Sequence, residues 1–235
     1  MNEKSILKEL ESLGGEGTKR ILMRHGAKEP LFGVKVGDLK KLQKRIGVDH
    51  GLALALYETG NYDAMYLACL IADDEKMTKT QLRKWAREAY GGSLSGSTVP
   101  WVATGSSRGW DLALEWIDSP KDYLSAIGWS TLSSIAMVWP DDEMHLPTIK
   151  KLLGRVKREI RKAPNDTCHA MNGFVIAVGS GIASLFDEAF AVAEAIGEVR
   201  VDHGETSCQT PFAPDYLHKV KAMNRVGKKK KTAKC

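Results

Sequence analysis

IKKLLGRVKREIRK, residues 149–162, decides how the rest of the chain is read. At 100° per residue Ile149, Leu152, Leu153, Val156 and Ile160 fall on one face of a helix. Lys150, Lys151, Arg155, Lys157, Arg158, Arg161 and Lys162 occupy the remainder, with Glu159 the one acid. The apolar stripe docks the helix on a core, and the cations form a surface able to face phosphates. A charge run of this kind also serves as an ordinary solvated face, and both readings stay open at this point.

The same three-to-four spacing recurs along the chain. Ile6, Leu7, Leu10 and Leu13 show it, as do Leu39, Leu42 and Ile46. Further helices are expected at 19–26, 49–58, 62–72 and 78–89, the last capped by Thr78. A Gly/Ser-rich stretch, 91–109, reads as a mid-chain bend, and Val99 to Thr104 within it could form a short strand. Helices resume at 109–118, 120–138, 146–162, 165–179 and 182–197. A polar, turn-rich segment, 198–213, then leads to a last helix at 214–225. No train of alternating β-branched residues is present. Helix pairs begin near 62, 101, 143 and 182, a cadence of about 40 residues that suits HEAT or armadillo repeats. The fold class expected is therefore all-α, an α-α superhelix of the HEAT/ARM type with a concave basic groove. Residues 1–225 are expected to form one helical-repeat domain, and 226–235 a basic disordered tail.

Charge narrows the function classes. The formal net charge is +5, but eight of the 34 basic residues lie between Lys219 and Cys235, where there is no acid. That leaves 26 basic against 29 acidic residues, so the body, 1–218, carries −3. A uniformly basic protein is excluded; a basic face is not. Lys35, Lys40, Lys41, Lys44 and Arg45, with Lys19, Arg20, Arg24 and Lys28, could extend that face. All six tryptophans lie between Trp85 and Trp139, where they pack a core or stack on bases. The charged N-terminus shows no signal-peptide core, and no run of about 18 apolar residues exists. Four scattered cysteines without a C-x-x-C pair suit free thiols, and a cytoplasmic chain is expected.

Three catalytic or cofactor motifs are approached without being completed. Gly105-Ser106-Ser107-Arg108-Gly109 has the G-x-S-x-G form, but the βα alternation that a nucleophile elbow needs is missing. FVIAVGSGIAS, 174–184, imitates a dinucleotide turn and reads better as a helix ending at Gly179 or Gly181. Cys168, His169, His203 and Cys208 do not fall into a recognised zinc spacing. No metal and no cofactor are expected.

Four segments together resemble the DNA alkylation repair enzymes of the AlkD/AlkC type. FGVKVGDLKKL at 32–42 is similar to an early segment of that family, and YDAMYLACLIAD at 62–73 to the helix after it. CHAMNGFVIAVGS at 168–180 and GEVRVDHGETSCQTPFAPDYLHK at 197–219 resemble the carboxyl-terminal segments of one bacterial branch. The resemblance implies a HEAT-like solenoid holding duplex DNA on a concave face. In active members it implies excision of N3- or N7-alkylated purines. It also implies a Trp with an Asp one turn later, an Arg on the next helix, and a second Trp near the carboxyl-terminal helices. Trp110 matches the first Trp, whereas Leu114 stands in place of the Asp. The helix 128–139 has no basic residue to match the Arg, and Phe174 stands near the second Trp. Asp111 and Glu115 are the acids left for a catalytic role. The partner expected is duplex DNA, damaged or branched forms included. Trp110 and Phe174 would act as its aromatic contacts, and Lys150, Lys151, Arg155, Lys157, Arg158, Arg161 and Lys162 as its phosphate contacts. A non-enzymatic protein-binding scaffold remains the alternative.

Overall fold

The computed structural model describes residues 2–234. Among them every regular element is helical. The chain separates into two compact units, one reaching to Arg108 and the other starting at Gly109, with Gly204–Thr206 and Lys234 belonging to the first.

The first unit contains α1 (Glu3–Leu13), α2 (Glu16–Arg24), α3 (Val36–Ile46), α4 (His50–Glu58), α5 (Tyr62–Ile71), α6 (Lys79–Glu88) and α7 (Val99–Thr104). Side-chain caps fix several starts. Asn2 accepts from the Ser5 amide, Asp49 from Leu52, and Thr78 forms a reciprocal box with Gln81. Every residue of α5 is buried, so this helix is the unit's axis. Its Asp63 carboxylate accepts from the amides of Phe32, Gly33 and Val34 at 2.6, 3.0 and 2.9 Å. The FGV segment is thereby tied to the core helix, and no amide in that turn is left buried without a partner. Tyr57 stacks on Trp85 with centroids 4.0 Å apart, and Tyr66 meets Trp101 edge-on.

One expectation changes here. The Gly/Ser-rich stretch is not an open bend: Leu94–Thr98 forms a π-helical turn that runs into α7. Val99 to Thr104 is helix rather than strand. Pro100 sits in its first turn, where the missing N–H costs nothing. G-x-S-x-G therefore follows a helix end, without the strand that a nucleophile elbow requires.

The second unit contains α8 (Gly109–Trp116), α9 (Asp122–Val138), α10 (Leu146–Glu159), α11 (Asn165–Gly181), α12 (Phe186–Ile196) and α13 (Ala213–Ala222). A 3-10 turn, Ile160–Lys162, continues α10. As expected, α11 ends at Gly181. The longest helices, α9 and α11, pack together, and small residues let them and their neighbours approach closely. A β-carbon at Gly128 would lie 2.7 Å from the Ile117 amide nitrogen, and one at Gly181 would lie 2.2 Å from the Ala136 carbonyl oxygen. The Asp122 carboxylate, at the start of α9, accepts from the amides of Asp166 at 3.0 Å and Thr167 at 2.8 Å, so α9 caps α11.

The segment after α13, expected to be a disordered tail, follows a defined path. Lys229 Nζ lies 2.7 Å from Asp141 Oδ1 and donates to the Ala136 carbonyl at 2.8 Å. The Lys230 amide donates to the Met137 carbonyl. Lys234 Nζ lies 2.7 Å from Asp74 Oδ1 and donates to the Ala72 carbonyl. Apolar content predicted no packing for this segment. Carbonyls left open at helix ends and partly buried carboxylates supply polar anchors instead.

Candidate nucleic-acid interface

Helix α10 is built as its sequence pattern predicts. His145 Nδ1 accepts from the Thr148 amide at its start, and Ile149, Leu152, Leu153 and Val156 are buried, followed by Ile160 in the next turn. The seven cations then divide into two sets. Lys150 pairs with Glu188 of α12, an interaction that lowers the Glu188 pKa. Arg161 Nη2 donates to the Ile196 carbonyl, in the last turn of α12, at 3.4 Å. Arg155 is the most engaged: its guanidinium lies 2.6 Å from Asp118, 2.8 Å from Glu159 and 5.7 Å from the Trp129 ring centre. Burial works against the Arg155 charge, but the bonds to Glu159 and Asp118 outweigh it and raise the pKa.

These three side chains anchor the helix. Lys151, Lys157, Arg158 and Lys162 are exposed and form no ion pair among the described residues. On the helical wheel Lys151, Arg158 and Lys162 occupy the arc opposite the buried stripe and Lys157 flanks the stripe, all free to meet an anionic partner. The sequence located the basic face correctly. It could not separate its members, because Glu188 and Asp118 lie 38 and 37 residues from their partners.

A cleft of about 340 Å³ opens beside α10, lined in part by Arg155, Lys162, Asp118, Asp122 and Glu159. A phosphate there would meet three carboxylates, so the anion-facing surface is the solvent side of α10 outside the cleft, carrying Lys151, Lys157 and Arg158, with Lys162 shared between the two. The acids were the feature that sequence reasoning missed.

The aromatic contacts are revised. Phe174 is 0% exposed and meets Trp129 edge-on at 5.2 Å, so it is a core residue and presents no face to DNA. The surrounding run FVIAVG is buried at every position, which is why its aromatic goes inward. Trp85, Trp116 and Trp129 are also buried. Trp110 is partly exposed, with its buried part against the core of the second unit, and Leu114 packs on the same core. Asp111 and Glu115 lie one turn apart on the exposed side of α8. Among the described residues no group of three or more His, Cys, Asp or Glu side chains could hold a metal ion.

The pattern defining the DNA alkylation repair enzymes matches residues 6–168, and the chain belongs to that family. It is 34% identical over 224 residues to an uncharacterized protein of Listeria innocua, covering 93% of this chain and 96% of that one. An uncharacterized protein of Listeria monocytogenes is 32% identical over 219 residues, covering 91% and 94%. A solved structure superposes over 100% of both chains with a TM-score of 0.91 at 34% identity. It is described as representing a new family of proteins related to the HEAT-like repeat DNA glycosylases with affinity for branched DNA structures. The HEAT-like all-α fold expected from the helix cadence is thus shown.

Proposed function

We propose that this chain binds DNA through its phosphate backbone and prefers branched forms. The observation that carries the proposal is the set of four cations on α10 and its 3-10 continuation that form no ion pair among the described residues, in a chain whose body is net acidic. From Lys151 to Lys162 the face runs roughly 17 Å, about five base-pair rises, so it tracks several phosphates at once. At a branch the phosphates of two arms converge and present more charge to such a face than a single duplex does. Contacts of this kind position the DNA without reading its sequence. The affinity for branched DNA ascribed to the solved relative supports the same reading.

Base excision is not part of the proposal. A carboxylate beside the reacting sugar would stabilise the positive charge that develops there, and Leu114 supplies none. The test titrates the protein with a four-way junction, a duplex and a single strand of equal length at rising salt. Junction affinity above duplex affinity, weakening steeply with salt, is expected; absence of binding at low salt refutes the proposal. In parallel, methylated DNA is assayed for released N7-methylguanine and N3-methyladenine, and none is expected. Release that is lost on Asp111→Asn with Glu115→Gln would restore the enzymatic reading.

A further inference from the structure

His169, Asn172 and Gly173 meet His203, Cys208, Gln209 and Pro211, 30 or more residues further along, in the second unit around a cleft of about 330 Å³. This volume is at the small end of the range for ligand clefts, roughly 300–1,000 Å³. The cleft has no Lys or Arg in its lining. Asn172, 1% exposed, belongs to that lining. Its Nδ2 donates to the Pro211 carbonyl at 2.9 Å, which fixes the amide orientation. Its Oδ1 then lies buried with no donor, an arrangement that folded proteins seldom leave standing.

The His169 and His203 rings meet edge-on at 5.4 Å, and His203 Nε2 is held 2.9 Å from Thr210 Oγ1. Burial lowers the His169 pKa, the neighbouring His203 lowers it further, and Asp166 opposes this in part. An uncharged imidazole offers a π-face rather than a phosphate site. A β-carbon at Gly173 would meet nothing within 4 Å, so open space lies over that position.

We propose that this cleft receives one unstacked nucleobase carrying an exocyclic amino group, which donates to Asn172 Oδ1 while the ring packs against His169. Nδ2 is already committed to Pro211, so the buried, unpaired acceptor selects an amino donor. A phosphate or carboxylate finds no cation there. The source of the base, an unpaired nucleotide in bound DNA, rests on the proposed function; the chemistry of the cleft does not.

The test uses the full chain and its Gly173→Leu variant, which fills the cleft where there is room for a side chain. Adenosine and inosine are titrated by calorimetry. A junction with one unpaired adenine and a fully paired junction are titrated by fluorescence anisotropy. Expected are binding of adenosine about tenfold tighter than inosine, and a similar preference for the unpaired adenine. Gly173→Leu should remove both preferences and leave affinity for the fully paired junction unchanged. Adenosine discrimination without binding of either junction supports the cleft and overturns only the DNA reading. Junction binding without adenosine discrimination, or preferences that survive Gly173→Leu, overturns the cleft and leaves the DNA reading standing.

Discussion

Replacing Lys151 and Arg158 with alanine tests the interface most directly. Four cations on the solvent side of α10 and its 3-10 continuation form no ion pair among the described residues, and these two lie at its centre. Each phosphate neutralised on duplex DNA contributes roughly −0.9 to the slope of log K against log salt, so four give a slope of about −3.6. Between 50 and 200 mM salt that slope corresponds to a loss of about 150-fold in affinity. With two cations removed the slope falls to about −1.8 and the loss to about 12-fold. Anisotropy titrations of a labelled junction at four salt concentrations measure both slopes. Arg155→Ala is the control. Its guanidinium is committed to Asp118, Glu159 and the Trp129 ring, so it should keep the wild-type slope. It should lose about 1 kcal/mol in urea unfolding, since these acids are largely solvent-screened. Equal slopes for the double variant and the wild type would refute the assignment of α10 as the phosphate-facing surface.

Three further outcomes follow from the fold. Gly128→Ala forces a β-carbon to within 2.9 Å of backbone atoms of α8 and the residue after it, and should lower unfolding stability by about 1–3 kcal/mol in denaturant titration. Asp63→Ala leaves three amides of the 32–34 turn without an acceptor, so a loss of more than about 3 kcal/mol is expected by the same measurement. Burial pushes the Asp74 carboxyl up to about 6 despite the opposing charge of Lys234. Because the folded pKa exceeds the unfolded value, the stability it contributes is complete below about pH 4 and is lost as pH rises through about 6. Asp74→Asn should therefore flatten thermal stability between pH 4 and 6.5, removing a slope worth roughly 2–3 kcal/mol in total.

The helices were legible because their signals are local. Spacing of three to four apolar residues, Thr78 before α6 and Gly181 closing α11 each act within a few positions. Between Gly91 and Gly109 local composition misleads: glycine and serine suggest a bend, yet Val99, Val102 and Ala103 are buried and hold a helix. The site was half legible. Cations gather on α10 in full view of the sequence, but their division into anchors and free charges depends on Glu188 and Asp118, which folding brings from distant positions. Phe174 stands near an aromatic position that the family resemblance implies, but the apolar run around it goes into the core and takes its ring along. The cleft at Asn172 joins residues whose types suggested zinc and whose spacing excluded it. What unites them is an amide without a donor, a property that exists only in three dimensions.

Asp122 begins one helix and closes the open amides at the start of another, 44 and 45 residues further along. A cap of this kind couples successive helix pairs, because the second cannot complete its first turn until the first pair has positioned the carboxylate. In a stack whose stability is a sum of unit and neighbour contributions, it belongs to the neighbour contribution. Its loss should broaden unfolding before it shifts the midpoint, with the α11 amides near Asp166 and Thr167 exchanging first. The carboxylate thus sets how far a local opening can spread along the chain.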